Sequence, residues 1–495
     1  MLLRSLLRGP LTTYRAVAYG FFLAILATVF LIFVTIHDSF LVTVPAAGGT
    51  LTEGIIGTPH TINPVLATTD TDKAFTNLIY AGLLKTSTDG TIVPELAKEY
   101  SVSPDGRIYT FDLRPTTFHD GKDLTSKDIA FTIAKLQNPA LNPTHASYWG
   151  DIGVETPDDH TVIIALPNPR ADFLLRATIG ILPEHVWNEV TDEAFLTHRR
   201  NIKPIGAGAF EIRNVNKNDG LVEKITVIRN NNYVLGSPLL KKIHIRMYDN
   251  QQELAEAVTD NDITFTSQLL PQTLTNTLLP RKLTVTQIPT DRQVALYHLR
   301  GDTGSLAHAG FVTVLSQFID KEKIIAIVEN GYGEALEMNA HPLYVEDTQE
   351  KLAALGYRLS NGALTRAGAQ VGISIATTND PDMVLLATTL ATQLRSLGIT
   401  VSIRNFDQGF FQTELDQQTF SAVLLKGTEP PYSYEAVLPL YKTTTPFVVK
   451  TTAHGIIPSV HISPVLRYAN VNEWYTNTDK LYPFFVKDTP LQTTN

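Results

Sequence analysis

The chain has 495 residues, enough for two or three domains and a large buried core. Its hydrophobic content of 43% and charged content of 18% are those of a globular protein, and a net charge of −9 argues against a nucleic-acid partner. There is no cysteine, which excludes disulfides, thiolate metal sites, a cysteine nucleophile and a lipid-modified cysteine anchor.

Ala16 to Ile36 is apolar apart from Tyr19 and two threonines. About 21 residues at about 1.5 Å each reach roughly 31 Å, the thickness of a bilayer core. Arg4, Arg8 and Arg15 precede the run and Asp38 follows it. The positive-inside rule then predicts residues 1–15 in the cytoplasm, an anchor over 16–36, a linker over 37–47 and the bulk of the chain outside the membrane. A cleaved signal peptide is the rival reading. Its apolar core would be about 7 to 15 residues with a small-x-small site after it, and Pro45-Ala46-Ala47 matches that site poorly.

Asn63-Pro64 reads as a turn. Asp72 is expected to cap a helix in which Phe75, Leu78, Ile79 and Leu83 share a face. Tyr109, Phe111 and Leu113 alternate with polar residues, the period of a strand with one face buried, and Pro115 ends it. His119-Asp120-Gly121-Lys122 is a turn. Thr125 stands three residues before Asp128, as in a capping box, and opens a helix carrying Ile129, Ile133 and Leu136 that Asn138-Pro139 stops. The chain is then polar up to Ser147-Tyr148-Trp149-Gly150, an exposed aromatic pair that either lines a ligand site or packs a loop onto the body. Asp158-Asp159 is most simply a solvated turn, and His185 has no second ligand at metal-binding spacing. In Pro204 to Phe210 the glycines are expected to let the backbone turn sharply; the stretch lacks the Lys-Ser/Thr of a phosphate loop.

Further on, Asp320 caps a helix with Ile324, Ile325 and Val328, which Asn330-Gly331 ends. Val371 to Ala376, Met383 to Leu397 and Val401 to Ile403 read as strand, helix and strand of a βαβ unit, so this part is α/β. Phe420 to Leu425 is the last apolar strand. The sequence has no G-x-S-x-G elbow, no H-E-x-x-H and no dinucleotide fingerprint. No catalytic set, metal site or cofactor is expected.

The stretch YTFDLRPTTFHDGKDLTSKDIAFTIAKL resembles the signature of the family 5 extracellular solute-binding proteins, the peptide- and nickel-type receptors of ABC importers. Tyr109, Thr110, Phe111, Leu113, Arg114, Phe118, His119, Asp120, Gly121, Asp128, Phe131 and Thr132 match it in order. Ile62-Asn63-Pro64, Val93-Pro94-Glu95-Leu96-Ala97, PIGAGAF and Arg229 to Tyr233 resemble further stretches of the family, as do Arg467-Tyr468 and Trp474-Tyr475 near the end. The chain departs from the family at Ala207 and Ala209, where Thr and Pro are usual, at Tyr297-His298, and after residue 425, where a long stretch is shortened.

The resemblance implies an α/β, two-lobe periplasmic-binding-protein-like fold of the type II, large peptide-receptor subclass, here with an N-terminal transmembrane helix. It places the first part of lobe I at 48–265, lobe II at 266–425 and the return to lobe I at 426–495. It implies a receptor, not an enzyme, that captures a peptide-like solute between the lobes and delivers it to an ABC permease and its ATPase. A sensory or scaffold ectodomain that kept the fold without transport is the alternative. The resemblance also places an acid soon after the return crossing to hold the ligand's amine, here Glu429. Tyr148, Trp149, Tyr432 and Tyr434 are the candidate aromatic lining, and Asn63 a further candidate contact.

Overall fold

The computed structural model describes residues 11–275, 277, 279–299, 304–336, 343–407, 411, 413, 420–427, 434–457 and 466–483. The chain divides into two compact units, Met1–Gly49 with Tyr475–Asn495, and Thr50–Trp474.

In the first unit the helix Leu11–Ser39 runs for 29 residues. Its side chains are described over 17–33, where large apolar groups such as Phe21, Leu23, Phe30 and Phe33 stand exposed. Among the described residues no helix is long and apolar enough to cross a membrane. After the helix, Val42–Ala46 pairs antiparallel with Asn477–Leu481, from Val42 opposite Leu481 to Ala46 opposite Asn477.

The second unit is built on an eleven-stranded sheet. Two strands of 17 residues each, Leu283–Leu299 and Tyr434–Lys450, lie antiparallel at its centre. On one side the sheet continues through Ala422–Gly427 and Gly372–Thr378 to Thr400–Phe406. On the other it continues through Phe265–Thr266, Gly48–Ile56, Leu240–Tyr248 and Leu221–Arg229 to Phe210–Asn218. Each side carries its own core. Phe75, Phe111, Trp187 and Phe210 belong to one, which we call lobe I. Phe311, Tyr357, Leu386, Leu394 and Leu424 belong to the other, lobe II.

The βαβ expectation for lobe II holds. Gly372–Thr378 and Thr400–Phe406 are parallel in the register Gly372 opposite Thr400, and the helix Pro381–Ser396, capped by Asp380, connects them. The helix Lys321–Val328 is capped by Asp320, whose carboxylate accepts the Lys323 N–H, and Asn330 and Gly331 then adopt positive φ. That left-handed geometry suits Asn and Gly.

In lobe I a four-stranded antiparallel sheet includes Ile108–Leu113, with Tyr109, Phe111 and Leu113 buried as the alternation requires. The stretch that follows is a set of ties. Gly121 takes φ +84 in the turn after Phe118. The His119 ring accepts the Gly206 N–H at Nδ1 (3.2 Å), so Nε2 carries the proton and faces the Gly208 carbonyl at 3.2 Å. Asp128 closes the expected capping box, accepting the Thr125 N–H at 2.8 Å, and its other oxygen accepts the Glu184 N–H at 2.9 Å. Thr132 Oγ1 accepts the Leu182 N–H at 2.9 Å. His119, Asp128 and Thr132 thus fasten two separate segments, Leu182 to Glu184 and Gly206 to Gly208, to one strand-turn-helix unit.

Three local expectations are corrected. The helix Asp70–Ile79 is capped by Thr69, with Asp72 as the third member of a capping box. The Asp72 carboxylate is directed back at the His60 and Thr61 N–H groups. Leu83 lies beyond this helix because Tyr80 turns to an extended conformation. Pro143–Trp149 is a short helix, not a loop, and Trp149 is buried. Asn142 caps it by accepting the Thr144 and His145 N–H groups, and Pro143 sits where its missing N–H costs nothing.

The strand Gly48–Ile56 buries Glu53 against Arg467, with Oε1 to Nε at 3.0 Å and side chains 1% and 5% exposed. The Tyr468 hydroxyl donates to the other carboxylate oxygen, and the guanidinium lies over the Tyr468 ring at 4.8 Å. Removing one member of a buried ion pair strands the other charge, which costs about 3–5 kcal/mol. Arg467→Met should therefore lower stability by about that amount in urea denaturation, and adding Glu53→Leu should recover most of it. Burial also pushes the His119 imidazole down from 6.5 to about 4. The unfolded chain then binds a proton between those values that the folded chain does not. Stability is complete above pH 6.5 and is lost as pH falls towards 4, by on the order of 3 kcal/mol. Denaturation midpoints of wild type and His119→Gln should converge over that window.

Candidate functional site

In lobe I the helices Asp70–Ile79 and Pro143–Trp149, the strand Leu84–Thr86 and the returning segment Leu466–Val471 surround a cavity of about 360 Å³. One wall is helix Asp70–Ile79, which presents Lys73, Thr76 and Asn77. It is anchored from behind by its capping box and by the Gly208 N–H, which donates to the Ile79 carbonyl at 2.8 Å. Gly206 and Gly208 make that approach possible. A Cβ on Gly206 would meet the Ile79 oxygen at 2.1 Å, and one on Gly208 the Ile79 carbonyl carbon at 2.6 Å. Neither glycine has a positive φ, so their requirement is close backbone approach and not the sharp turn expected from the sequence.

A second wall carries Lys85, from the strand Leu84–Thr86, and Glu95. Glu95 is buried. One oxygen accepts the Tyr233 hydroxyl at 2.6 Å and the other the Gly82 N–H at 2.9 Å. Burial raises its pKa, and the nearby Lys85 ammonium and these two donors oppose that rise. Gly82 and Gly180 are bridged backbone to backbone, and a Cβ on Gly82 would strike the Thr178 carbonyl oxygen at 2.6 Å.

The third wall is aromatic and cationic. Trp149 lines the cavity with its ring edge-on to Phe173 at 6.2 Å, while its carbonyl accepts from the Gln137 amide. Tyr148 is one layer behind. Its ring lies between the guanidiniums of Arg170 at 4.6 Å and Arg176 at 4.8 Å, and its hydroxyl donates to Asp172. Tyr148 and Asp172 thereby hold Arg176 at the cavity. His145 lines it too, with its pKa lowered by burial and then by the charges of Arg176 and Lys73. Tyr468 and Val471 close the fourth side, and Tyr468 is the same residue that hydrogen-bonds Glu53.

Of the residues singled out in the sequence, Trp149 is in the wall and Tyr148 supports it. Asn63 is fully buried behind Pro64. Its amide donates to Asn201 at 3.0 Å and its Oδ1 accepts the Val65 N–H, so it shapes the turn and presents nothing to the cavity. Tyr434 pairs with Leu299 in the long strands, and its side chain lies outside the described residues, as do Glu429 and Tyr432 altogether. Lys73, Lys85, Glu95, Arg176 and Tyr233 were not anticipated as lining. Glu95 and Tyr233 stand in stretches noted only as resemblances, and Lys73 and Lys85 carry no local signal. Among the described residues no group of three or more His, Cys, Asp or Glu is placed to hold a metal ion.

The sequence profile of the bacterial extracellular solute-binding proteins, family 5 Middle, matches residues 91–447. The oligopeptide-binding protein AppA of Bacillus subtilis is 24% identical over 468 residues, which are 88% of this chain and 80% of AppA. A putative ABC transporter peptide-binding protein of Brucella ovis is 34% identical over 178 residues, 35% of this chain, and the match spans only 33% of that relative's length. Among solved structures, the Bacillus subtilis AppA complex with a nonapeptide aligns over 88% of this chain and all of that one, with a TM-score of 0.56 and 18% identity. A nickel ABC transporter structure from Bacillus halodurans aligns over 84% and 99% with a TM-score of 0.68 and 14% identity. These likenesses share the α/β two-lobe periplasmic-binding-protein-like fold. The chain belongs to the family 5 bacterial extracellular solute-binding proteins.

Proposed function

We propose that this protein is an extracytoplasmic receptor that captures a peptide-like solute by lobe closure and presents it to an ABC permease and its ATPase. The observation that carries this reading is the joint between the lobes. Both run into the same pair of long strands, whose register shifts between Pro289 and Gln293, between Val294 and Ala295, and between Leu296 and Tyr297. Such interruptions let a strand bend without losing its partner. A pair of rigid lobes on a short bendable joint is the layout of hinge closure around a ligand. The cavity in lobe I, with Trp149 on its wall, is the surface against which the solute would be held. Relatives described as peptide-binding supply the solute class.

The apolar run of residues 16–36 within the helix Leu11–Ser39, whose side chains are described only over 17–33, is the membrane anchor in this reading, with its N-terminus cytoplasmic. At about 1.5 Å per residue the run reaches roughly 31 Å, the thickness of a bilayer core. Phe21, Phe30 and Phe33, each 65–69% exposed, are apolar surface that lipid would cover. The full chain should stay in the membrane pellet after alkaline carbonate extraction. Release into the supernatant would remove the anchor.

Solute capture is tested by thermal shift of the full chain in detergent with short peptides. A ligand at about 100 times its Kd adds roughly 2.7 kcal/mol to stability. A subset of peptides should raise the melting temperature, and Trp149→Ala should weaken their binding by about tenfold or more. Unchanged affinity in Trp149→Ala would take the cavity out of the site.

A further inference from the structure

The cavity is cationic in an acidic protein. The whole chain carries −9, yet the wall sets Lys73, Lys85 and Arg176 against Glu95 as its one carboxylate. That carboxylate already has the Tyr233 hydroxyl on one oxygen and the Gly82 N–H on the other. Arg176 is paired at 3.2 Å with Asp172, which does not line the cavity. Lys73 and Lys85 differ from it. They come from a helix and a strand that face the same space, and among the described residues neither ammonium makes an ion pair or a hydrogen bond.

We propose that Lys73 and Lys85 are the specificity determinants of this receptor and recognise a carboxylate of the solute, so that it selects anionic peptide-like ligands over neutral ones. The inference rests on the solute-binding reading above and adds the ligand's charge. A cleft lined by one sign of charge with low-dielectric walls concentrates the field inside it and attracts the opposite sign. A charge-assisted hydrogen bond from an ammonium to a carboxylate is roughly twice as strong as a neutral one. The aromatic wall of Trp149 beside these cations leaves an apolar surface for the remainder of the solute. His145 lines the same cavity, its titration lowered by burial first and then by the charges of Arg176 and Lys73.

The carboxylate has two sources, the C-terminus of a peptide or an acidic side chain, and the probes separate them. The full chain in detergent is titrated calorimetrically with Ala-Glu-Ala, its C-terminal amide, Ala-Gln-Ala and the amide of Ala-Gln-Ala. The expected result is at least about tenfold weaker binding of the neutralised amide of Ala-Gln-Ala than of Ala-Glu-Ala. Whichever single-carboxylate peptide keeps the affinity identifies the group recognised. In Lys73→Met/Lys85→Met the preference should disappear, and in Lys73→Arg/Lys85→Arg it should survive. Lys73 is solvent-exposed and Lys85 partly so; an unchanged denaturation midpoint for the double variant separates lost recognition from lost folding. Equal binding of all the peptides to wild type, or a preference that persists in a folded Met variant, overturns this inference and leaves the receptor reading standing. Binding of none of them overturns the peptide-receptor reading and this inference with it.

Discussion

Hydrogen bonding between Leu283–Leu299 and Tyr434–Lys450 holds the second unit together, because each of these strands belongs to both lobes. At one end Leu283 lies opposite Lys450, and Phe265–Thr266 adds its pairing at Val448 and Val449. At the other end Gln293 to Tyr297 pairs with Gly427 to Val423 of lobe II. Phe447 is buried in the lobe I core and Tyr441 in the lobe II core. A strand has two edges. The free edge of Tyr434–Lys450 takes Phe265–Thr266 near its end and Gly333–Ala335 at Tyr441 to Thr443. Among the described residues no strand pairs with that edge between these two attachments. Pro439 sits beside the register shift at Val294 and Ala295, and Pro289 beside the shift to Gln293. Having no N–H to give to a ladder, proline suits a strand where the pairing is interrupted.

What the sequence made legible was local. The strand Ile108–Leu113, the Thr125 capping box and the Asp320 cap each rest on residues within a few positions of one another, and each is present. The βαβ order of lobe II was legible for the same reason, since its hydrophobic period changes cleanly from strand to helix and back. One local signal lies beneath the side-chain chemistry of the aromatic pair. Asn142-Pro143 is a cap followed by proline at the first helical position, and it announces the helix that buries Trp149. The aromatic pair beside Gly150 looks exposed in the sequence because the residues around it are polar, whereas Trp149 is buried.

The site was mostly illegible, and the reason is tertiary. Lys73 and Lys85 look like ordinary solvated lysines in the chain, and only the packing of helix Asp70–Ile79 beside Leu84–Thr86 turns both towards one space. Glu95 could be seen as an acid in a recurring motif, but its partner Tyr233 is far away in sequence. The pattern of Gly206 and Gly208 suggests a sharp turn, whereas the demand for glycine comes from the close approach of Ile79, which no local pattern connects to them. Asn63 shows the converse error. A polar residue in a family motif invites a binding role, whereas its amide is wholly engaged with Asn201 and the following turn.

The proposed joint and the wall of the cavity are separate parts of the second unit. The segment Leu466–Val471 reaches the cavity from the far end of the chain, and it is held firmly. Arg467 is paired with Glu53 on the central strand of lobe I, and Tyr468 donates to the same carboxylate. Asn470 donates to the Gly455 carbonyl and accepts from the buried Trp474 indole at 2.9 Å. The indole in turn packs edge-on against Phe265 at 5.1 Å. These ties remain within lobe I and its returning segment, so bending the long strands beyond Thr444 need not break them. A wall fixed in advance spends little conformational entropy when a solute arrives. In the proposed closure, the buried charge pair lies under the wall and the register shifts in the joint, which would keep the geometry of the cationic cavity constant.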